Sequence, residues 1–207
     1  MKGPANPLPQ IEVPSRAPLR SWLKAHHATS RSVWLVTWKK AHLDRHVPYD
    51  AIVEEALCFG WVDSLPRRLD AERSMLLLSP RRPGSAWSAA NKARIERLAA
   101  AGLLHRAGLA AVRAEQSDGS WTFLDDVQRL DVPADLAAAL AARPGAAGHF
   151  DRFPRSVRRG ILEWIKQARR PETRAKRIEE TARLAAENRR ANQFERPRRD
   201  PAATERA

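Results

Sequence analysis

Ser32-Val33-Trp34-Leu35-Val36-Thr37-Trp38 is apolar at almost every position and rich in β-branched and aromatic side chains. That composition over so short a run suits a buried strand. Trp61 to about Leu69, and again Arg73 to Ser79, read as two further strands, with Asp70-Ala71-Glu72 as the turn between them. Pro66 has no N–H to give a ladder, so its strand lies at an edge or is bulged there. Between the first strand and this hairpin, a polar loop ends at Pro48, a residue suited to the first turn of a helix. Tyr49, Ile52, Val53, Ala56 and Leu57 then share one helix face, and Gly60 stops it. A short helix after Ser15 carries Leu19, Trp22 and Leu23 on one side. The expected class is α+β: a small antiparallel three-stranded sheet packed with helices, followed by a mainly helical C-terminal half.

That second half reads as a series of helices with proline starts and glycine or proline stops. Ser88 to Ala101 ends at Gly102, Leu104 to Gln116 before Gly119, and Pro133 to Ala142 before Pro144. Pro154 opens a helix with a Val157, Ile161, Trp164, Ile165, Ala168 stripe. Pro171 opens another, with Ala175, Ile178, Ala182 and Ala185 facing inward. Residues 1–15, with prolines at 4, 7, 9 and 14, read as a disordered lead, and 191–207 as a disordered basic tail. Residues 16–102 form the α+β core in this reading, and 103–190 the helical part packed on it.

The chain has 207 residues, 43% of them hydrophobic, which is enough to bury a core and excludes a wholly disordered protein. No apolar run reaches the roughly 18 residues of a membrane span. The N-terminus lacks the apolar stretch of a secretory signal, so the expected compartment is the cytoplasm. One cysteine, Cys58, allows no internal disulfide and no cysteine-based zinc site. The net charge is +13, with +8 over residues 1–160 and +5 over the last 47. An anionic partner suits that excess, although the arginine- and alanine-rich composition of a GC-rich genome produces the same sign.

Few residues invite chemistry. Cys58 sits at the C-terminal end of its helix, one turn after Glu54 and Glu55, where dipole and carboxylates both disfavour a thiolate. His42 and His46 bracket Asp44 in a loop, a pattern more often solvated than ligating. With nine glycines and no phosphate-cradling loop or dinucleotide fingerprint, neither a cofactor nor a metal is expected. Two segments stand out. In Glu54 to Ser64, charged and aromatic residues crowd a helix-to-strand turn, and alternation puts Trp61, Asp63 and Leu65 on one face. In Ser79 to Lys92, Ser85 or Ser88 caps a helix on which Trp87, Asn91 and Arg94 line up. These groups either enclose a small polar ligand or form a buried polar network fixing the hairpin to the helix. The cluster Arg169 to Arg177 either meets phosphates through Arg170, Arg174 and Arg177 or forms a salt-bridged face with Glu172, Glu179 and Glu180.

The same segments carry a family resemblance. Val33-Trp34-Leu35 with Lys39-Lys40, the run Glu54 to Ser64, and Ser79 to Pro83 with Ser85, Trp87, Ser88 and Asn91 resemble the bacterial YdeI/OmpD-associated, or bacteriocin-protection, family. Ala107-Gly108-Leu109 is similar to a third block. Trp164-Ile165, Ala168, Glu172-Thr173-Arg174 and Arg177-Ile178 are similar to a C-terminal one. The similarity spans about residues 16–190. It implies a stress or antimicrobial-resistance role, and supplies no active-site residues.

The preferred reading is therefore a cytoplasmic, non-catalytic accessory protein that binds a small polar or anionic ligand. Trp61 and Trp87 serve as walls, Asp63 and Asn91 as hydrogen-bonding groups and Arg81 as the anion contact, with Glu55 and Lys39 as further candidates. One alternative is a nucleic-acid-associated protein working through Arg170, Arg174 and Arg177. The other is an enzyme with Asp63 or Glu55 as general base.

Overall fold

A computed structural model describes residues 8–192 and divides the chain into two compact units, Met1–Leu124 and Asp125–Ala207. Most of the expected basic tail, and the first seven residues of the expected lead, lie outside the described residues.

The sheet of the first unit has four strands, β1 (Gln10–Glu12), β2 (Val33–Trp38), β3 (Trp61–Arg68) and β4 (Arg73–Pro80), in the order β1-β2-β4-β3. The three expected strands are present, with β2 and β3 each pairing antiparallel to β4 between them. The expectation of a purely antiparallel three-stranded sheet is corrected by β1, which runs parallel to β2 and makes the sheet mixed. β1 falls within the lead expected to lack structure. Its three residues between Pro9 and Pro14 are too few to show an alternation. Main-chain bonds extend it at both ends, from Trp34 N to Pro9 O (2.9 Å) and from Val13 N to Val36 O (3.3 Å).

Cross-strand partners share a face, so Val33 opposite Leu78 and Leu35 opposite Leu76 form one apolar surface. All four are buried in a core shared with α1 (Arg16–His26), α2 (Tyr49–Cys58) and α3 (Ala89–Ala100), through Leu19, Leu23, Ile52, Val53, Leu57, Ile95 and Leu98. The helix α4 (Arg106–Ser117) adds Val112. Gly60 ends α2 with φ 74°, a left-handed conformation that favours glycine.

β3 is both an edge strand and bulged. Asp63 pairs with Leu78 but Pro66 with Leu76, so Ser64 and Leu65 together face Leu77. The extra residue absorbs the missing proline donor and shifts the alternation. Pro66 thus takes the face that Leu65 was expected to share with Trp61 and Asp63, and Leu65 is exposed instead.

The second unit holds α5 (Asp125–Arg129), α6 (Ala134–Ala141), α7 (Ala146–Arg152), α8 (Arg155–Lys166) and α9 (Pro171–Ala186). α9 packs on α6, α7 and α8. Ile178, Ala182 and Ala185 of its expected inward stripe are buried, with Leu136, Leu140, Phe150, Ile161 and Ile165 among the buried residues of the other helices. Ala175 is exposed. α5 and α7 are too short to show a period, so the pattern of apolar residues does not announce them.

Candidate functional site

The seven residues singled out in the sequence fall into separate places. Trp87 is 1% exposed, and its Nε1 donates to a Glu115 carboxylate oxygen. The Arg81 guanidinium stacks on the Trp87 ring at 3.9 Å. Its Nε donates to Glu115 Oε1 (3.3 Å), and its Nη2 to the carbonyls of Ser85 (3.1 Å) and Ala86 (3.3 Å). Burial pushes the Glu115 carboxyl up and the Arg81 guanidinium down, each against the other's attraction. Trp121 packs on Trp87 at 4.9 Å. This is a filled node that joins the β4–α3 turn to α4. Glu115, its centre, carries no recognisable motif in the sequence and was not anticipated.

Trp61, also 1% exposed, is a core residue whose Nε1 donates to His27 O (3.2 Å) while its ring meets Trp22 edge-on. Asn91 accepts from Arg94 (2.9 Å), which also donates to Asp50 (2.6 Å). Ser88, the expected cap, accepts from Asn91 N. Glu55 is buried and accepts from Arg16 Nε (2.6 Å) and Arg20 Nη1 (2.8 Å), while Glu54 accepts from Arg16 and Arg97. These charges line a hollow of 520 Å³ in which every one has an opposite partner.

Asp63 and Lys39 belong elsewhere, to a cleft of 680 Å³ where the sheet runs past the first turn of α2. β2 contributes Thr37 and Trp38, α2 contributes Tyr49 and Ile52, and the bulged stretch of β3 contributes Asp63, Ser64 and Pro66. Ser74, Met75 and Leu76 of β4 complete the sheet side, and the loop after β2 supplies Lys39, Lys40, His46 and Val47. Lys39 holds that loop to the hairpin turn: its Nζ donates to the carbonyls of Asp70 (3.0 Å) and Ala71 (2.6 Å). His46 Nδ1 faces Trp38 O at 2.7 Å, and because a carbonyl only accepts, that nitrogen carries the proton. Tyr49 donates to Asp63 Oδ2 at 2.6 Å. Burial and that bond to a carboxylate push the Tyr49 hydroxyl up to about 12, so it stays a donor.

Within the described residues, several polar groups of this cleft have no partner. Thr37 is mostly buried, and its hydroxyl, which has no protein partner, is reached from the cleft. The Lys40 ammonium and the second oxygen of Asp63 are likewise unpaired. None of the three is a buried unpaired atom, so each is open to solvent or to a ligand in the cleft. Valine, isoleucine, methionine and leucine side chains give the cleft an apolar lining, and its volume lies within the range of small-molecule sites. Thr37, Tyr49 and Ser74 escape sequence reasoning because each looks like an ordinary strand or helix residue. Lys39 and Asp63 were the members of this cleft that the sequence singled out; Lys40 entered only through the Lys39-Lys40 pair of the family resemblance.

Cys58 is buried, and burial pushes its thiol up, so it is a packed side chain rather than a nucleophile. Among the described residues, no group of three His, Cys, Asp or Glu side chains is placed to hold a metal ion. No described helix is long and apolar enough to cross a membrane. In the second unit, Arg174 donates to both oxygens of Asp135 (2.7 and 2.9 Å), and Arg177 donates to Trp164 O and stacks on that ring. Arg170 is exposed.

The fold defines a mixed-sheet α+β unit followed in the sequence by a unit whose regular elements, among the described residues, are all helices. Comparison with protein families assigns the two differently. Residues 129–188, within the helical unit, match the family described as bacteriocin-protection, YdeI or OmpD-associated. Residues 11–111 match a domain of unknown function (DUF8412). The blocks around Trp34, Trp61, Trp87 and Gly108 therefore lie in the second match, and the block from Trp164 to Ile178 in the first. No curated protein and no solved structure matches the chain significantly.

Proposed function

We propose that the protein is a cytoplasmic, non-catalytic stress accessory protein of the bacteriocin-protection kind, and that it binds a small polar or anionic ligand in the cleft bounded by Lys39, Lys40, Tyr49 and Asp63. The observation carrying this reading is a 680 Å³ apolar-lined cleft whose lining includes the unpaired Thr37 hydroxyl, the unpaired Lys40 ammonium and one open oxygen of Asp63. Charge argues against direct capture of a cationic peptide, because a protein at +13 repels one. A catalytic role for Glu55 is disfavoured by the two arginines that occupy its oxygens.

The test uses 1-anilinonaphthalene-8-sulfonate, an aromatic anion, followed by fluorescence and by protein-observed NMR. Amide shifts confined to residues 37–49, 63–66 and 74–76, with at least tenfold weaker binding to Lys40→Glu at unchanged melting temperature, support the reading. Shifts elsewhere, or equal binding by the variant, overturn it. The nucleic-acid alternative draws on the net charge and on exposed Arg169, Arg170 and Lys176. It requires duplex or single-strand binding that weakens steeply with salt.

A further inference from the structure

Three helix ends meet at one buried ring. Phe59, which follows α2, is 3% exposed. His105 stacks on its ring at 4.9 Å, His27 tilts against it at 5.5 Å, and the Arg20 guanidinium lies over it at 5.6 Å. His27 follows α1 and His105 precedes α4, and the two imidazoles stand edge to face at 4.9 Å. None of these residues lines the cleft described above.

Each ring is fixed by its Nδ1. That of His27 faces Leu23 O at 2.9 Å and therefore carries the proton, whereas that of His105 accepts from Ala107 N at 3.3 Å, which puts the proton of the neutral ring on Nε2. Both Nε2 atoms have no protein partner and are reached by solvent. The charge around them is of one sign. Lys24 lies one turn after Arg20 on α1, and Arg106 is next to His105. Both are exposed, and neither has a partner among the described residues, while Glu55 takes up the Arg20 charge at 2.8 Å. Burial, then His27, Arg106, Arg20 and Lys24, hold the His105 pKa below its ordinary value, so the charges that weigh most on this ring are all basic. Two facing histidines suit a metal ion elsewhere, but an ammonium and a guanidinium beside them repel a cation.

We infer that this cluster is a second site, separate from the cleft, for a small dianionic phosphate, either inorganic or a monoester. The His105 Nε2–H donates to one phosphate oxygen, and Lys24 and Arg106 meet the others. One proton between His27 Nε2 and a phosphate oxygen makes the remaining bond, whichever of the two carries it. A phosphate brings several acceptor oxygens and a charge of about −2, which these groups from two helices match better than they match a carboxylate.

Inorganic phosphate, phenyl phosphate and dimethyl phosphate, titrated into the full chain near neutral pH at constant ionic strength, are followed by imidazole NMR. The first two should shift the His27 and His105 ring resonances saturably and leave those of His149, in the second unit, unmoved. Both should bind at least tenfold more tightly than the singly charged dimethyl ester. Lys24→Gln combined with Arg106→Gln should weaken phosphate binding at least tenfold at an unchanged melting temperature, because both side chains are exposed. Unmoved His27 and His105 resonances overturn the inference. Equal binding of the dimethyl ester, or undiminished binding by the double variant, overturns it as well, since unspecific surface charge would then be the cause. Each of these failures leaves the cleft reading standing, because its probe and its residues are different.

Discussion

Gly108 of α4 lies directly on the main chain of Cys58 at the end of α2. A Cβ on Gly108 would stand 2.4 Å from the Cys58 carbonyl oxygen and 2.8 Å from its carbon. Backbone meets backbone there, which is why His105 N, just before α4, also reaches the Cys58 carbonyl at 3.0 Å. Gly60, which ends α2, closes the same junction from the other side, against Ala107 and Ala111. The crossing of α2 and α4 thus depends on a residue without a side chain.

Gly108→Ala should destabilise the first unit by about 3 kcal/mol, at the upper end of overpacking costs, because the obstructing atom is main chain and has no rotamer to yield. A denaturant midpoint within error of the parent would contradict the close approach. Gly148→Ala, whose new Cβ would meet only the Arg152 side chain at 3.5 Å, is the control.

Glu115→Ala should cost about 3–5 kcal/mol, since it strands the Arg81 guanidinium in a site where the arginine side chain is 3% exposed. Glu115→Gln, which keeps acceptor and shape, should cost clearly less. Urea unfolding separates the two, and equal losses would show that packing rather than the ion pair matters. Lys40→Glu, on the open cleft, should leave the midpoint unmoved.

Acid should weaken the first unit through His105. Its Nδ1 caps α4 by accepting from Ala107 N at 3.3 Å, an arrangement available only to the neutral ring. Burial, then the neighbouring His27, Arg106, Arg20 and Lys24, hold its pKa below the ordinary value. The unfolded chain therefore takes up the proton first. The stabilisation is present above about pH 6.5 and is lost as pH falls from there through the folded value. His105→Asn keeps a capping oxygen and should flatten the melting-temperature profile between about pH 7 and 5. A profile as steep as the parent's would remove His105 from the account.

Much of the architecture is legible in the chain. The apolar run ending at Trp38, the hairpin around Asp70, the stop at Gly60 and the disturbance at Pro66 all follow from local rules about branching, turns and missing donors. These rules act over a few residues, so a single sequence displays them. β1 does not show, because three residues between prolines have no period and gain their strand character only from β2.

The candidate site was harder to read, for a physical reason. Trp61, Trp87, Arg81 and Asn91 have the right chemistry for a ligand, but burial and hydrogen bonding are properties of position rather than of residue type. Once folded, both indoles are 1% exposed, and Arg81 is satisfied by Glu115, 34 residues away. The sequence by itself determined the strands, the helices, the charge and the presence of Lys39 and Asp63. Only the tertiary structure decided which polar groups remain unpaired, because that depends on long-range partners: Tyr49 meeting Asp63 across a bulge, and Thr37 facing a space that no neighbouring side chain fills.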